Sequence, residues 1–441
     1  MTATALSTGD LARADAPMLV TELPGPKARA IVERDERVTS PSLPRAYPLV
    51  PARASGCVVE DVDGNLLLDF NAGIAVTSTG HSHPEVVEAI RRQAGELLHF
   101  CGSDFYLPAY VEVCERLAEL FPGPKPARVF LTNSGTEAVE AAIKLARWHT
   151  RRQYVIAFYG SFHGRSYGSL SLTASKARYR VGFGPLLPGV LHAPYADSFR
   201  PNRDADGWEF PTVSYLEDVL FARIAAPEEV AAIVVEPIQG EGGYVVPPPG
   251  WLASLRELCD RYGILLVADE IQTGLGRTGR MWAVERDGVE PDILVAGKGL
   301  ASGMPLGAMI AREDVATWTP GTHGSTYGGN PVACAAALAT LSLVEGGLAA
   351  DAARIGEQLL ERLRSLAERA PAIHDVRGAG LMVGLELADG AADALEQECF
   401  RRGLLVLSAG DSAIRLSPPL VVTETQVDRA LEILGGTLEE L

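Results

Sequence analysis

The chain has 441 residues, 47% of them hydrophobic and 22% charged, with a formal net charge of −17. That length calls for more than one packed lobe, and the composition is that of a globular protein rather than a fibre, a repeat array or a disordered chain. The acidic balance argues against a nucleic-acid surface and against adhesion to anionic lipid, while leaving room for a local basic pocket.

Residues 1–20 are small and polar and are expected to form a mobile leader. With Asp10 and Asp15 and no basic n-region, the N-terminus does not read as a signal peptide. Six scattered cysteines (Cys57, Cys101, Cys114, Cys259, Cys334, Cys399) include no CxxC pair, the pattern of reduced thiols. A soluble, cytoplasmic protein is expected. From Gly56 two β-rich runs flank Asp63-Gly64, a hairpin signal. Pro84 opens a helix with Val86, Val87, Ile90 and Ala94 at helical spacing, and a second helix is expected over 109–120.

From Arg128 short apolar runs alternate with amphipathic stretches. The runs at 129–131, 155–158, 232–235, 264–268, 293–296 and 306–310 read as buried strands, and 137–148, 213–224 and 251–262 as helices. This alternation implies βαβ units and a mostly parallel sheet covered on both faces. Pro331 begins an Ala-rich stretch, too short to span a membrane, that reads as a buried helix leaving the sheet. A helix over 355–369, strands at 381–387 and 404–407 and a closing helix over 425–434 then make a smaller α+β domain. The expected division is a segment 1–80 joining the small domain, a large domain 81–330 and a small domain 331–441.

The chemistry gathers at strand ends, where ligands of open α/β sheets bind. Asp269 follows one run and Lys298 another. Alone, they fit a buried ion pair as well as two groups addressing one ligand. Ser134, Gly135 and Thr136 open the helix after the first strand, and Glu137 completes an S-x-x-E capping pattern. The free amides and positive dipole end there suit a phosphate, and an ordinary capped helix reads the same way. Phe162 and His163 sit in a glycine-flanked loop suited to stacking on a flat ring, and Arg165 is placed to hold a carboxylate in two hydrogen bonds. Glu236 and Glu241 lie in another glycine loop, and Arg415 interrupts an apolar run.

Two patterns are set aside. Gly274, Gly276 and Gly279 satisfy the dinucleotide spacing, yet no helix opens directly after them as that fingerprint requires. His81 and His83 have no companions to complete a metal site, so no metal is expected. One molecule accounts for the rest: a planar ring with a phosphate, a pyridine nitrogen needing an anion and an aldehyde needing a lysine. That is pyridoxal 5′-phosphate.

The chain resembles the class III (ω-type) aminotransferases of fold type I, closest in look to 4-aminobutyrate aminotransferase and its archaeal-type relatives. The matching stretches are AGIAVTSTGHSHP (72–84), TNSGTEAVEAAIKLAR (132–147), FHGR (162–165), EPIQGEGG (236–243), ADEIQTGLGRTG (268–279), GKG (297–299) and HGSTYGGNP (323–331). The resemblance implies a seven-stranded, mostly parallel sheet in the large domain. It implies that Lys298 bonds the cofactor aldehyde and moves a proton, and that Asp269 keeps the ring nitrogen protonated. Gln272 would bond the ring's phenolic oxygen, Phe162 and Ile271 sandwich the ring, and His163 sit near its edge. Ser134, Gly135 and Thr136 would hold the phosphate, and Thr326 would reach the neighbouring subunit's phosphate, making the active unit a homodimer or dimer of dimers. Arg165 would bind the distal carboxylate of the substrate and Arg415 the α-carboxylate. Glu241 would pair with Arg415 when an ω-amine donor is bound and swing away for 2-oxoglutarate, while Ile74 lines the substrate end. The implied reaction is transfer from a 4-aminobutyrate-type donor to 2-oxoglutarate. An amino-acid racemase, or an ornithine or acetylornithine aminotransferase, are alternatives. The long text between Leu187 and Glu236 leans toward the 4-aminobutyrate branch.

Overall fold

The computed structural model describes residues 8–200, 212–388, 390–410 and 412–440. Part of the long text that favours the 4-aminobutyrate branch, at 201–211, lies outside them. The centre of the molecule is a seven-stranded sheet. From one edge its order is Ala127–Thr132, Gly307–Arg312, Ile293–Ala296, Leu265–Asp269, Val230–Val235, Tyr154–Phe158 and Val190–Ala193. Only Gly307–Arg312 runs antiparallel to its neighbours, and the pairs from Ile293–Ala296 to Val190–Ala193 are parallel.

Burial explains why these strands read as continuous apolar runs. Val230–Val235 and Ile293–Ala296 are buried at every position because helices cover both faces. Within one strand the faces alternate: Val155 and Ala157 pack toward Val139, Ala142 and Ile143 of helix Gly135–Thr150. Ile156 and Phe158 pack toward Leu252 and Leu255 of helix Trp251–Tyr262. The expected helix over 213–224 is an α-turn, Thr212–Tyr215, continued as a π-helical turn, Leu216–Phe221.

A second core lies under a four-stranded antiparallel sheet in the order Ile373–Ala379, Met382–Leu387, Ala413–Leu416, Leu407–Ala409. Helices Ala349–Ala367 and Glu424–Leu438 pack there through Leu359, Leu363, Val427 and Leu434. The N-terminal hairpin, Val58–Asp61 with Leu66–Asp69, joins this part of the chain by parallel pairing of Leu68 with Leu404. The helix opening at Pro331 stays in the large core: Ala333, Cys334, Ala336, Ala337 and Leu341 pack with the sheet's residues. With its continuation to Ala367 this helical run is long and apolar enough to cross a membrane by length and composition, though Val332, Ala333, Cys334, Ala336, Ala337 and Leu341 within it are buried in the protein.

The expected mobile leader is not what the structure shows from Thr8 onward. Thr8–Ala12 is a helical turn, and Leu11 and Ala16 are buried against Val58 and Leu66. Met18 exchanges backbone hydrogen bonds with Leu66 at 2.9 Å, extending the hairpin sheet. Two apolar side chains and a strand partner order this segment, and the partner lies some fifty residues away in sequence, out of reach of local composition.

Candidate active site

Three parallel strands and the loops after them deliver the ionisable groups to one place. Leu265–Asp269 ends on Asp269, Val230–Val235 leads to Glu236, and Ile293–Ala296 leads through Gly297 to Lys298. The loop after Tyr154–Phe158 supplies Phe162 and His163. Close packing without side chains joins the strand ends. A Cβ on Gly135 would lie 2.7 Å from Ile271 Cδ1, and one on Gly297 would lie 3.3 Å from Gly135 Cα and 3.5 Å from Ile271 Cγ2. The start of the first helix, the residue before Lys298 and the residue two past Asp269 are therefore in mutual contact. Lys298 adopts φ +40°, in the left-handed region that costs a non-glycine residue energy. The fold holds this lysine in place against a local preference.

Asp269 and His163 are both buried, with Nδ1 of His163 2.7 Å from Asp269 Oδ2. The backbone N–H of Ile271 donates to Asp269 Oδ1 at 3.1 Å. Burial alone would lower the pKa of His163, but the Asp269 carboxylate outweighs it and the pKa rises. Burial pushes Glu236 up to about 7, although it accepts the N–H of Phe162 and of Gly240, each at 2.8 Å. Burial likewise draws Lys298 below the ordinary lysine range. Asp269, Glu236 and Glu241 oppose that shift, and Arg415 adds to it. Lys298 thus lies within electrostatic reach of both ends of the site. It makes no close ion pair with Asp269 among the described residues, which favours the reading of two groups addressing one ligand.

The capping pattern at the first helix forms with one change. Ser134 accepts the N–H of Glu137 at 3.5 Å, while the Glu137 carboxylate reaches back to the N–H of Asn133 at 2.7 Å. The first-turn amides of Gly135 and Thr136 have no acceptor within the helix, so they remain for an anion. The Thr136 hydroxyl is engaged with Ser166 at 2.7 Å and Ser169 at 2.6 Å, which makes the cup mainly one of backbone amides.

The residues expected at the substrate end stand in a cavity of about 1350 Å³ whose walls include Ile74, Arg165, Lys176, Tyr179, Glu241 and Arg415. Arg415 is buried, at 6% exposure, in the strand Ala413–Leu416. Its hydrogen bonds, to the Ser408 carbonyl and to Glu241 Oε2, are both long at 3.3 Å, and its Nε has no partner among the described residues. Burial would raise the pKa of Glu241, but Arg415, Tyr179 and Lys176 bring it below the usual carboxylate value. Arg165 is exposed, its guanidinium 4.4 Å from the centre of the Tyr179 ring. Ile74, at φ +66°, projects from the turn Ala72–Ala75, which Asp69 holds by accepting the N–H of Asn71 and Ala72.

Residues 41–438 match the family described as aminotransferase class-III. The chain belongs to the class III aminotransferases. It is 39% identical to an alanine/serine racemase of Pyrococcus horikoshii, an alignment covering 96% of this chain and 93% of that one. It is 40% identical to a 4-aminobutyrate aminotransferase of Mycobacterium bovis, over 96% and 98% of the two chains. A crystal structure of the ornithine aminotransferase from Toxoplasma gondii superposes with a TM-score of 0.84 at 34% identity, over 94% and 95% of the chains. The fold is that of the fold type I pyridoxal-phosphate transferases, as the sequence implies.

Pyridoxal 5′-phosphate is the cofactor of this class III aminotransferase, and the residues fit it. His163 Nε2 and Gln272 Oε1 are shut off from solvent and have no hydrogen-bond partner among the described residues. Such orphaned atoms are costly in a finished site and are explained by a missing polar ligand. Asp269 would face the ring nitrogen, Gln272 the phenolic oxygen, Lys298 the aldehyde and the Gly135–Thr136 amides the phosphate. Phe162 and Ile271 have the shape to sandwich a ring.

Of the expected residues, Ile74, Arg165, Glu241 and Arg415 line the cavity, Asp269 and His163 pair at the strand ends, Gly135 and Ile271 meet beside Gly297, and Thr326 is exposed. The structure also gives Glu236 partners that its glycine loop did not announce, and adds Tyr179 and Lys176, which pattern reading did not single out. Glu236 joins the Phe162 loop to the Gly240 loop, and Tyr179 and Lys176 both reach Glu241 Oε1, at 2.8 and 3.3 Å. No spacing in the sequence signals these pairings. The nearest cue is the cluster of basic and aromatic residues SKARYR (175–180) after the FHGR loop. His81, set aside as a metal ligand, instead pairs with Asp69 at 2.7 Å.

Proposed function

We propose that the protein is a ping-pong transaminase that takes an ω-amino donor of the 4-aminobutyrate type and passes the amino group to 2-oxoglutarate. The observation that carries this is the weakly held Arg415–Glu241 pair, with both hydrogen bonds of the buried guanidinium at 3.3 Å. A buried guanidinium needs a counter-ion, and removing it without replacement costs several kcal/mol, on the order of 3 to 5. A 2-oxo acid brings its own carboxylate to Arg415. An ω-amino donor has none beside its amine, and Glu241 then fills the place. Arg165 receives the distal carboxylate in either case.

Pyridoxal phosphate, when bound, supplies the sink for the electron pair left on the substrate carbon. Lys298 Nζ, its pKa lowered by burial, would take the proton from that carbon and deliver it to the carbon that carried the cofactor's aldehyde, and would run the transfer in reverse when the 2-oxo acid is the substrate. Asp269, held in place by His163, would face the ring nitrogen of the bound cofactor.

The homodimer is part of the same reading. Leu98, Phe100, Phe105, Tyr106 and Tyr327 form an exposed apolar face, with Phe100 against Phe105 at 4.4 Å and His99 against Tyr327 at 4.9 Å. Thr326 stands on it. A second chain on this face would cover the patch and bring its own Thr326 toward this site.

The test is a half-reaction screen. Purified protein loaded with pyridoxal phosphate is mixed with single amino donors, and the absorbance of the bound cofactor is followed. Conversion by 4-aminobutyrate or another ω-amine, with glutamate formed when 2-oxoglutarate is added, is expected. No glutamate from 4-aminobutyrate, ornithine or lysine would falsify the proposal. The racemase relative motivates a second reading. Deuterium entering Cα with inversion, and no 2-oxo acid released, would select it.

A further inference from the structure

Glu241 is held from two sides. Its Oε2 faces Arg415 at 3.3 Å, while its Oε1 accepts the Tyr179 hydroxyl at 2.8 Å and lies 3.3 Å from Lys176 Nζ. Lys176 precedes and Tyr179 ends the short turn Ala177–Tyr179, and both line the same cavity as Arg165 and Arg415. Its shortest hydrogen bond is therefore to Tyr179 and not to Arg415. The backbone around Glu241 is pinned: the N–H of Gly240 donates to Glu236 at 2.8 Å, and the Glu241 carbonyl accepts from the N–H of Gly410 at 3.2 Å. A change of partner is then a rotation of one side chain within a fixed loop.

We propose that Lys176 and Tyr179 are the second station of the Glu241 carboxylate, holding it when a substrate carboxylate occupies Arg415 and so setting how readily the site admits a 2-oxo acid. This rests on the reading of Glu241 as an exchangeable partner of Arg415. Without a second station, the displaced carboxylate would stand unpaired in a half-buried wall, and the incoming acid would have to overcome that cost. Burial and the neighbouring Glu241 raise the pKa of Tyr179, which keeps its hydroxyl a donor at neutral pH. Its ring also underlies Arg165 at 4.4 Å, so one tyrosine supports both the distal-carboxylate arginine and the displaced carboxylate. Lys176 and Tyr179 are positioning residues acting through Glu241.

The experiment uses the holoenzyme and glutarate, an unreactive dicarboxylate, with the absorbance of the bound cofactor as the readout of Kd. Lys176→Met is expected to weaken glutarate by about threefold to tenfold and Tyr179→Phe by about twofold to fivefold, the range for a hydrogen bond or ion pair to a charged group at a partly exposed site. Lys176→Arg should restore binding, and KM for the ω-amino donor should move by less than about twofold. Glu241→Gln alone should tighten glutarate and weaken the donor. In that background Lys176→Met should cost nothing further, because no carboxylate is left to house. A full Lys176→Met loss persisting in the Glu241→Gln protein overturns the second station while leaving the switch intact. Glutarate and donor shifting alike on Glu241→Gln sinks the underlying reading instead.

Discussion

The two ends of the site are built on different terms. At the cofactor end, Asp269 has both carboxylate oxygens engaged and Glu236 clamps two loops. Glycines let Gly135, Gly297 and Ile271 close up with no space between them. At the substrate end, Arg415 has long hydrogen bonds, Glu241 divides its oxygens between rival partners, and Arg165 and Ile74 stand in the cavity wall. The first region is over-determined and the second is held by interactions that trade places. One fold can thus keep its chemistry constant while its relatives carry names as different as racemase and 4-aminobutyrate aminotransferase.

Substitutions that test this contrast fall in a descending order of effect. Lys298→Ala should remove turnover by more than about 10⁴-fold in both half-reactions, as losing a central proton-transfer group does. Its melting temperature should stay close to the parent's, because removing a buried amine whose charged form burial disfavours offsets the lost packing. Borohydride should no longer fix the cofactor to the chain. Asp269→Asn keeps the shape and removes the charge, and should cost about 10²- to 10³-fold, again equally for donor and acceptor. Arg415→Ala should break that equality: KM for 2-oxoglutarate rises by about tenfold or more while the ω-amine donor loses less. Equal losses on both sides would contradict the division of labour between the two ends.

The smallest effect is on stability. Glu270 is fully buried, accepts the N–H of Val284 at 2.9 Å and a hydrogen bond from Thr273, and burial pushes its pKa up to about 7. A folded pKa above the unfolded one means that the native state holds a proton the unfolded chain has released. Glu270 therefore costs stability as pH rises from about 4.5 to about 7, by up to a few kcal/mol. Glu236 acts in the same direction. Glu270→Gln imitates the protonated form, and its melting temperature should fall less steeply over that window than the parent's. Parallel curves would refute the assignment.

The cofactor end was largely legible in the sequence because it rests on local rules. Short apolar runs mark strands buried on both faces, and the groups that follow them mark the ligand crevice. Asp269, Lys298 and the Ser134 cap are each read within a few residues of a strand. The substrate end rests on long-range pairing instead. Arg415 meets Glu241 across 174 positions and Tyr179 meets Glu241 across 62, distances no periodicity reports. Strands were missed for a related reason. Val190–Ala193 carries His192 at a sheet edge, and Ile373–Ala379 is only partly buried, so neither shows a continuous apolar run. The N-terminal segment looked like a loose leader because its order comes from the hairpin against which Leu11 packs.

One ladder has a metrological consequence. Ala308 of the antiparallel strand lies opposite both Ala296, two residues before Lys298, and Leu131, three residues before Ser134. The amine-bearing strand and the phosphate-cup strand are thus separated by one intervening strand, about 10 Å at the usual spacing. Gly307 lets the cup close over that strand, since a Cβ there would lie 2.4 Å from the Ser134 carbonyl. Beyond the strands the two ends close up again, where Gly297 meets Gly135, so the sheet fixes the strand spacing and the glycines fix how near the ends approach. A larger residue at 307 would push against the Ser134 carbonyl and shift the start of that helix, so new chemistries on this scaffold are to be sought in the cavity wall and not where these backbones touch.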